Sequence, residues 1–509
     1  MSKLMPNLKF PLETSRSISK RFTLLCLLAL MGLAAFIRGY DLDRYYFTGD
    51  EATHLILAKI FDGNWISFCT RESHPPFYYI LLKKYMEVFG VESRLGLRLI
   101  SLISGVMTVG VGFLVGHRIS ASRCVGLLGA FLLVTAPPLI DQSQQLRGYA
   151  LLILLLFVLV FLLIKREFGW LTLMTSLLVT GLACSTHYSA AVFVGATFLV
   201  GNLRIYESIV HRKKLASIIW NVSHLCFFSG VYYLGSRYPV LMKDTHVGPP
   251  NARGVQKVIE TLFDISEMFF LSTGSKIPWL FAVIIVMGIV VLVKTKRLSL
   301  LLLTIVPFCG AILLAQLQIY PLIAERWSIY LILPMWISVI VFLGAVAKKN
   351  KIFVLLFSVV FLFCQWTGYE NIYYQKSNLR HPLGIYSITL AEMQMVAKDL
   401  LSATFPDKNI LVSQEMFLSV EMETLLKPKW AMFVHEPEKI LSCDKWGAIE
   451  TDDKFCECIS NVKKMKPYIH QVYFLDYQNR YDLAKRKTGC IKINSVLKRE
   501  TYKIIGMTF

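Results

Sequence analysis

Apolar stretches long enough to cross a bilayer recur through the first 369 residues of this 509-residue chain, and the short segments between them carry their basic residues on one side only. A hydrocarbon core of roughly 30 Å takes about 20 apolar residues as a helix. The pattern predicts about eleven spans, near 22–37, 97–116, 124–140, 148–164, 169–185, 188–203, 216–235, 277–293, 298–316, 327–347 and 351–368. A chain that is 55% hydrophobic and 17% charged, with mean hydropathy +0.53, cannot hide that much apolar surface in a soluble core.

Numbering the spans in order puts every basic cluster on one side. Arg16, Lys20 and Arg21 precede the first span; His117-Arg118 with Arg123, Lys165-Arg166, Arg212-Lys213-Lys214, Lys294 to Arg297 and Lys348 to Lys351 fill alternate loops. By the positive-inside rule that side is the cytoplasm. The N-terminus is then cytoplasmic, and 38–96, 141–147, 236–276, 317–326 and the chain after about 369 lie outside. Phe22–Ile37 has the basic start and small residues of a signal peptide, but cleavage there would leave the other loops on the wrong side, so an uncleaved span is expected.

The net charge of +20 follows from this topology. Residues 370–509 hold 20 Lys+Arg against 17 Asp+Glu, so +17 belongs to the membrane part, where it sets orientation and meets anionic headgroups of membrane lipids. No face interleaves basic and aromatic residues as nucleic-acid binding would require. After residue 370 the hydropathy falls. Short β-type runs (Asn409–Val412, Trp430–Val434, Gln471–Leu475, Tyr502–Met507) alternate with a helix-like run, Met416–Leu426. The predicted architecture is an all-α polytopic membrane bundle over 1–369 with a small α/β extracytoplasmic domain over 370–509. Cys443, Cys456, Cys458 and Cys490 fall in that outer region; an even number in an oxidising compartment predicts two disulfides with three pairings open.

The outer loop 38–96 has structure of its own. Glu51–Phe61 reads as an amphipathic helix with Leu55, Ile56, Ala58 and Ile60 toward the lipid surface, and Phe77–Phe89 as a second one after Pro75-Pro76. A third such run, Val258–Leu271, follows Gly248-Pro249-Pro250 in the loop 236–276. Asp50 and Glu51 stand where the first span gives way to this loop. Capping a helix explains their residue types, because Asp suits an N-cap and Glu the positive end of the dipole. It does not explain an acidic pair at the mouth of a multi-span bundle, whereas general-base chemistry on a lipid-held substrate does. Tyr78, Tyr79 and Tyr85 suit an interfacial aromatic belt or sugar stacking. Arg147 opens a span on the outer side, where a snorkelling cation has no topological reason to be, and suits a phosphate contact. His224 lies within a span and reads as a satisfied core histidine.

Asp50-Glu51-Ala52, His74-Pro75-Pro76-Phe77-Tyr78-Tyr79, Arg94 with Arg98, and Ser143-Gln144-Gln145-Leu146-Arg147-Gly148-Tyr149-Ala150-Leu151 follow one another in order and all on the outer side. In this the chain resembles the C-type glycosyltransferases that use polyprenyl-phosphate sugars: protein O-mannosyltransferases, the aminoarabinose transferase of lipid A and galacturonosyltransferase-like bacterial members. The resemblance runs through about 20–350. It implies a bacterial inner-membrane enzyme that inverts the anomeric centre as it moves a sugar from a polyprenyl-phosphate donor to a hydroxyl of a glycan, lipid or protein. It implies Asp50 as catalytic base with Glu51 supporting it or a divalent metal ion, and Arg147 with Arg326 neutralising the departing lipid phosphate; Tyr78 and Tyr149, in the same motifs, are candidate substrate contacts, and His74 suits either a hydrogen bond within the Pro75-Pro76 turn or a substrate or metal contact. Gln145 stands where the pattern has Glu, and Asp141 lies four residues earlier. The rival from another class is a multi-span transporter or lipid flippase, but such proteins place ionisable residues at mid-membrane, and these spans hold almost none.

Overall fold

The structure, a computed structural model, describes residues 19–40, 42, 49–61, 63–64, 74–91, 93–165, 168–207, 213–236, 255–270, 279–317, 322, 326–348, 356–357, 410–413, 471–477, 492–498 and 502–508. The chain divides into two units: Met1–Leu42 with Phe61–Asn378, and Asp43–Ile60 with Leu379–Phe509.

The first unit is helical among its described residues. Its helices are α1 (Lys20–Gly39), α3 (Phe77–Phe89), α4 (Arg94–Ser120), α5 (Arg123–Thr135), α6 (Pro137–Ser143), α7 (Tyr149–Leu163) and α8 (Trp170–Thr186). After a 3-10 turn, Tyr188–Ala190, come α9 (Ala191–Glu207), α10 (Lys213–Ser236), α11 (Val255–Phe270), α12 (Trp279–Lys294) and α13 (Leu298–Gln316); a second 3-10 turn, Arg326–Leu331, leads into α14 (Ile332–Ala347). Among the described residues six segments are long and apolar enough to cross a membrane, α5 and α6 form a pair bent by 60°, and α7, α8 and Ala282–Lys294 are shorter apolar helices. Together they fall on the first ten of the spans expected from sequence; of 351–368 only 356–357 is described.

Glycine governs how closely these helices pack. In lipid there is no hydrophobic drive between helices, so small residues that admit a neighbour set the association. A Cβ on Gly112 of α4 would stand 2.2 Å from Leu133 Cδ1, and one on Gly288 of α12 would stand 2.1 Å from the backbone oxygen of Ser338 in α14. Among the described long apolar segments, the one that contains α14, Ser328–Ala347, is the most buried. Its Trp336 donates an indole N–H to the Gly129 carbonyl at 3.0 Å and packs on Phe157 at 5.1 Å between ring centroids. Hydroxyls inside the bundle donate back to the carbonyl one turn earlier, as in Thr108 to Ser104 and Thr180 to Ser176, so they bring no bare polar group into lipid. His224 is fully buried, 3.1 Å from Thr197 Oγ1 and 2.9 Å from the Trp220 carbonyl, a satisfied core histidine as expected. Helix α1 is the opposite of α14: Phe22, Leu24, Leu25, Leu28 and Phe36 are exposed apolar side chains facing outward.

The second unit holds α2 (Gly49–Ile60) and strands β1 (Ile410–Ser413), β2 (Gln471–Tyr477), β3 (Lys492–Lys498) and β4 (Tyr502–Thr508). They form one sheet in the order β1-β2-β4-β3, with β1 parallel to β2 and the other pairs antiparallel. An irregularity between Ile493 and Ser495 shifts the register of β3. β1, β2 and β4 fall on β-type runs of the sequence; Trp430–Val434 and Met416–Leu426 lie outside the described residues. β3 was not expected, because Lys492 to Lys498 breaks the alternation of a strand, with Asn494-Ser495 polar and Val496-Leu497 apolar in succession. Cys443, Cys456, Cys458 and Cys490 also lie outside the described residues, and Cys26, Cys124, Cys184, Cys226 and Cys309 are free thiols.

Candidate active site

The site in the first unit is built around a break in a helix. Ala136-Pro137-Pro138 ends α5 and starts α6, with both prolines in the first turn of α6. In an uninterrupted helix the amides of residues 137 and 138 would bond the carbonyls of 133 and 134, but proline has no N–H. The guanidinium of Arg38, at the end of α1 and fully buried, takes their place: Nη2 donates to the Leu133 carbonyl at 2.8 Å and Nη1 to the Val134 carbonyl at 3.1 Å. Arg38 Nε reaches Ser143 Oγ at 3.3 Å, beside Gly105, where a Cβ would be 2.0 Å from that same oxygen. Gln144 adds amide contacts to the Ile37 and Tyr40 carbonyls at 3.3 and 3.4 Å. These ties fix where the segment 144–148 leaves α6.

Three of the residues singled out from sequence meet in this unit with Arg147. Arg147 is 2% exposed and its guanidinium carbon stands 5.2 Å from the centre of the Tyr149 ring. His74, half-buried ahead of α3, is edge-on to Tyr149 at 6.4 Å. Ser101 of α4 donates its hydroxyl to the Arg147 carbonyl at 3.0 Å and lies 3.2 Å from Tyr78 Oη, which therefore donates to it. Gly148 lets α3 approach: a Cβ there would be 3.4 Å from Tyr78 and 3.3 Å from Thr186.

Tyr78 and Tyr79 are each 1% exposed, which corrects the interfacial-belt expectation for them: both are buried inside the protein. Tyr85 is half-buried and tilted on Phe89. Arg98, which with Arg94 forms one of the sequence motifs, is buried and donates to the Leu42 carbonyl at 2.6 Å, just past the end of α1. Gln145 and Gln142 each donate a side-chain amide to Asp141 Oδ2 at 2.9 Å, so the glutamine in the acidic position of the motif is coupled to the nearby carboxylate.

His187 was not singled out from sequence, and the structure brings it to the centre. It ends α8, is 2% exposed, and its ring lies 4.7 Å from Tyr149 and 5.0 Å from His74. Only its place between two apolar runs could have signalled it. The turn Arg326–Leu331 packs against the turn Tyr188–Ala190 and against α7, so the backbone of Arg326 arrives at the same end of the bundle. The side chains of Arg326 and Asp50 lie outside the described residues. Asp50 and Glu51 sit in the first turn of α2 in the second unit, where Glu51 is 1% exposed. In the same helix Leu55, Leu57 and Ala58 are buried, so the lipid-facing expectation fails for Leu55 and Ala58; Ile56 and Ile60 lie outside the described side chains.

A guanidinium held on an aromatic face, with hydroxyl and imidazole groups beside it, can bind a phosphate and stabilise charge developing on it. Among the described residues no group of three or more His, Cys, Asp or Glu side chains could hold a metal ion.

Residues 73–232 match the family model for dolichyl-phosphate-mannose-protein mannosyltransferase. That stretch includes His74, Tyr78, Arg147, Tyr149 and His187 but not Asp50, Glu51 or Arg326. The chain is similar in structure to ArnT from Cupriavidus metallidurans. The form bound to undecaprenyl phosphate aligns at 12% identity and TM-score 0.55 over 96% of this chain and 98% of that one, and the apo form at 13% and 0.54 over the same shares. The Archaeoglobus fulgidus oligosaccharyltransferase in complex with Zn and sulfate aligns at 10% identity and TM-score 0.50, over 88% of this chain and 67% of that one. The S. cerevisiae protein O-mannosyltransferase Pmt1-Pmt2 complex bound to the sugar donor aligns at 17% identity and TM-score 0.33, over 43% of this chain and a third (33%) of that chain's length. A search of curated protein sequences found no match.

Proposed function

We propose that this chain, whose residues 73–232 match the mannosyltransferase family model, is a polyprenyl-phosphate-sugar-dependent C-type glycosyltransferase that transfers a sugar from a polyprenyl phosphate to an acceptor hydroxyl on the extracytoplasmic face of a bacterial inner membrane. The observation that carries the reading is Arg147: a guanidinium buried at the head of a membrane helix and laid on Tyr149. Anchoring and topology give no reason to bury a cation there, and a lipid phosphate does.

The reaction is a single displacement. The acceptor oxygen bonds to the anomeric carbon as the bond from that carbon to the phosphate oxygen breaks. The electron pair leaves with the polyprenyl phosphate, and the acceptor proton passes to the Asp50 carboxylate. The anomeric configuration inverts. Positive character grows at the sugar while negative charge grows on the leaving oxygen, so the chemistry calls for a carboxylate base and fixed cations. Arg147 neutralises the phosphate, with Arg326 as its second cation. His74, Tyr78 and Tyr149 orient the headgroup, and Glu51 supports Asp50. The mechanism is organised for a donor whose isoprenoid stays in lipid.

Residues 1–369 form the catalytic membrane domain, with eleven spans and a cytoplasmic N-terminus, on the strength of the basic loops. Residues 370–509 form an extracytoplasmic domain that selects or orients the acceptor, which is a glycan, a lipid or a protein. The test is mass spectrometry of envelope glycans, lipids and glycoproteins from cells lacking the protein and cells complemented with wild type or Asp50→Asn. One glycoform is lost on deletion, returns with wild type and stays absent with Asp50→Asn. An unaltered glycan profile on deletion would contradict the reading.

A further inference from the structure

We infer that His187 is a hydrogen-bond donor to the lipid phosphate, acting beside Arg147; the inference rests on the reading of Arg147 as a phosphate contact and adds a residue to it.

The backbone places His187 where α8 stops. Its φ of −158° and ψ of 136° are extended, its amide still bonds the Ala183 carbonyl at 3.1 Å, and its side chain caps the following 3-10 turn. The Ser189 amide donates to His187 Nδ1 at 3.1 Å, and Ser189 Oγ lies 2.8 Å from the same nitrogen. A backbone N–H can only donate, so Nδ1 is the acceptor and the neutral ring carries its proton on Nε2. The cap thus fixes both the orientation of the imidazole and its tautomer, and makes Nε2–H the donor. Ser, Thr, Asp or Asn caps such a turn as well or better. A histidine adds one thing they lack, a second nitrogen on the far side of the ring from the cap.

That ring lies in the cluster already assigned to the phosphate. Its centroid is 4.7 Å from Tyr149, the ring on which Arg147 lies, and 5.0 Å from His74. Arg147 and His187 therefore share one aromatic neighbour, and each is 2% exposed. A neutral N–H there complements a guanidinium: it donates to a second phosphate oxygen without adding a second charge to be desolvated. Hydrogen bonds to charged acceptors are stronger than neutral ones. This one strengthens as the sugar leaves and negative charge collects on the phosphate, so it favours departure as well as binding.

Two near-isosteres separate the donor from the cap. His187→Asn keeps an acceptor near Nδ1 and removes the Nε2 donor; His187→Gln puts an amide N–H near the Nε2 position. The measurement is affinity of the full-length protein in nanodiscs for undecaprenyl phosphate, with undecaprenol as the phosphate-free comparison. His187→Asn weakens undecaprenyl phosphate binding by about tenfold, His187→Gln recovers most of it, and neither changes undecaprenol binding. Wild-type affinity in His187→Asn, or parallel loss of both lipids in both variants, overturns the inference. Arg147→Ala run alongside distinguishes the two levels. If it loses phosphate affinity while His187→Asn does not, only the role of His187 fails. If it retains full affinity, the phosphate site itself is misplaced and both readings fall.

Discussion

The guanidinium of Arg38 lies 2.8 Å from the carbonyl oxygen of Leu133, and with Val134 it supplies the donors that Pro137 and Pro138 cannot. An arginine from one span thereby caps the broken end of another. A buried carbonyl left without a donor costs about 1–3 kcal/mol. Arg38→Met is expected to lower thermal stability in detergent by several degrees. The loss shrinks when Pro137→Ala and Pro138→Ala restore the amides, a coupling that a double-mutant cycle measures directly. Equal losses in both backgrounds would show that Arg38 acts elsewhere.

Gly288 gives a second prediction, about packing. A Cβ at this position would stand 2.1 Å from the Ser338 backbone oxygen, which cannot swing aside as a side chain can. Gly288→Ala is expected to cost about 1–3 kcal/mol through forced separation of α12 and α14. Gly32→Ala in α1, where nothing lies within 4 Å, is expected to be neutral or slightly stabilising. Comparing the melting of the two variants checks this.

In the proposed reaction Arg147 holds charge that grows during transfer. Removing one such donor from a preorganised site typically costs about 10²–10³ in rate. Arg147→Ala is expected to fall in that range, and Arg147→Lys to recover part of it, because an ammonium keeps the charge but loses the planar fork. The readout is the initial rate of sugar release from a polyprenyl-phosphate sugar.

Tyr78 tests the hydroxyl relay from Tyr78 through Ser101 to the Arg147 carbonyl. Tyr78→Phe removes one buried hydrogen bond while leaving the ring in place, and about 0.5–1.5 kcal/mol of stability with it. The expected result is a modest fall in Tm and a rate within about tenfold of wild type, with the larger share of the loss in KM. A loss as large as that of Arg147→Ala would mean that the Tyr78 hydroxyl contacts the reacting atoms.

Much of the helical bundle was legible because the length of an apolar span is set by the bilayer, not by partners. Helices such as α4, α10 and α13 fall where the apolar runs are. The site was legible where motifs were long: His74, Tyr78 and Tyr149 do gather with Arg147. It was not legible where a residue type has two uses. Nothing in the sequence marks Arg98 and Arg38 as buried, yet both are, and both bond backbone carbonyls. The tyrosines of α3 fit a lipid interface by composition, and only burial separates Tyr78 and Tyr79 from Tyr85. His187 lies between two spans with no motif around it; its role depends on Tyr149 and His74, 38 and 113 residues away in sequence, which no local pattern reports. β3 was missed for a related reason, since its pairing with β4 rather than its own residues makes it a strand.

The most direct measurement follows a labelled sugar from undecaprenyl phosphate to envelope acceptors, catalysed by the protein in nanodiscs, with the anomeric configuration of the product determined. The account predicts transfer with inversion by wild type and a fall of at least about 100-fold in Asp50→Asn. Unchanged transfer in Asp50→Asn, or retention of configuration, would contradict it.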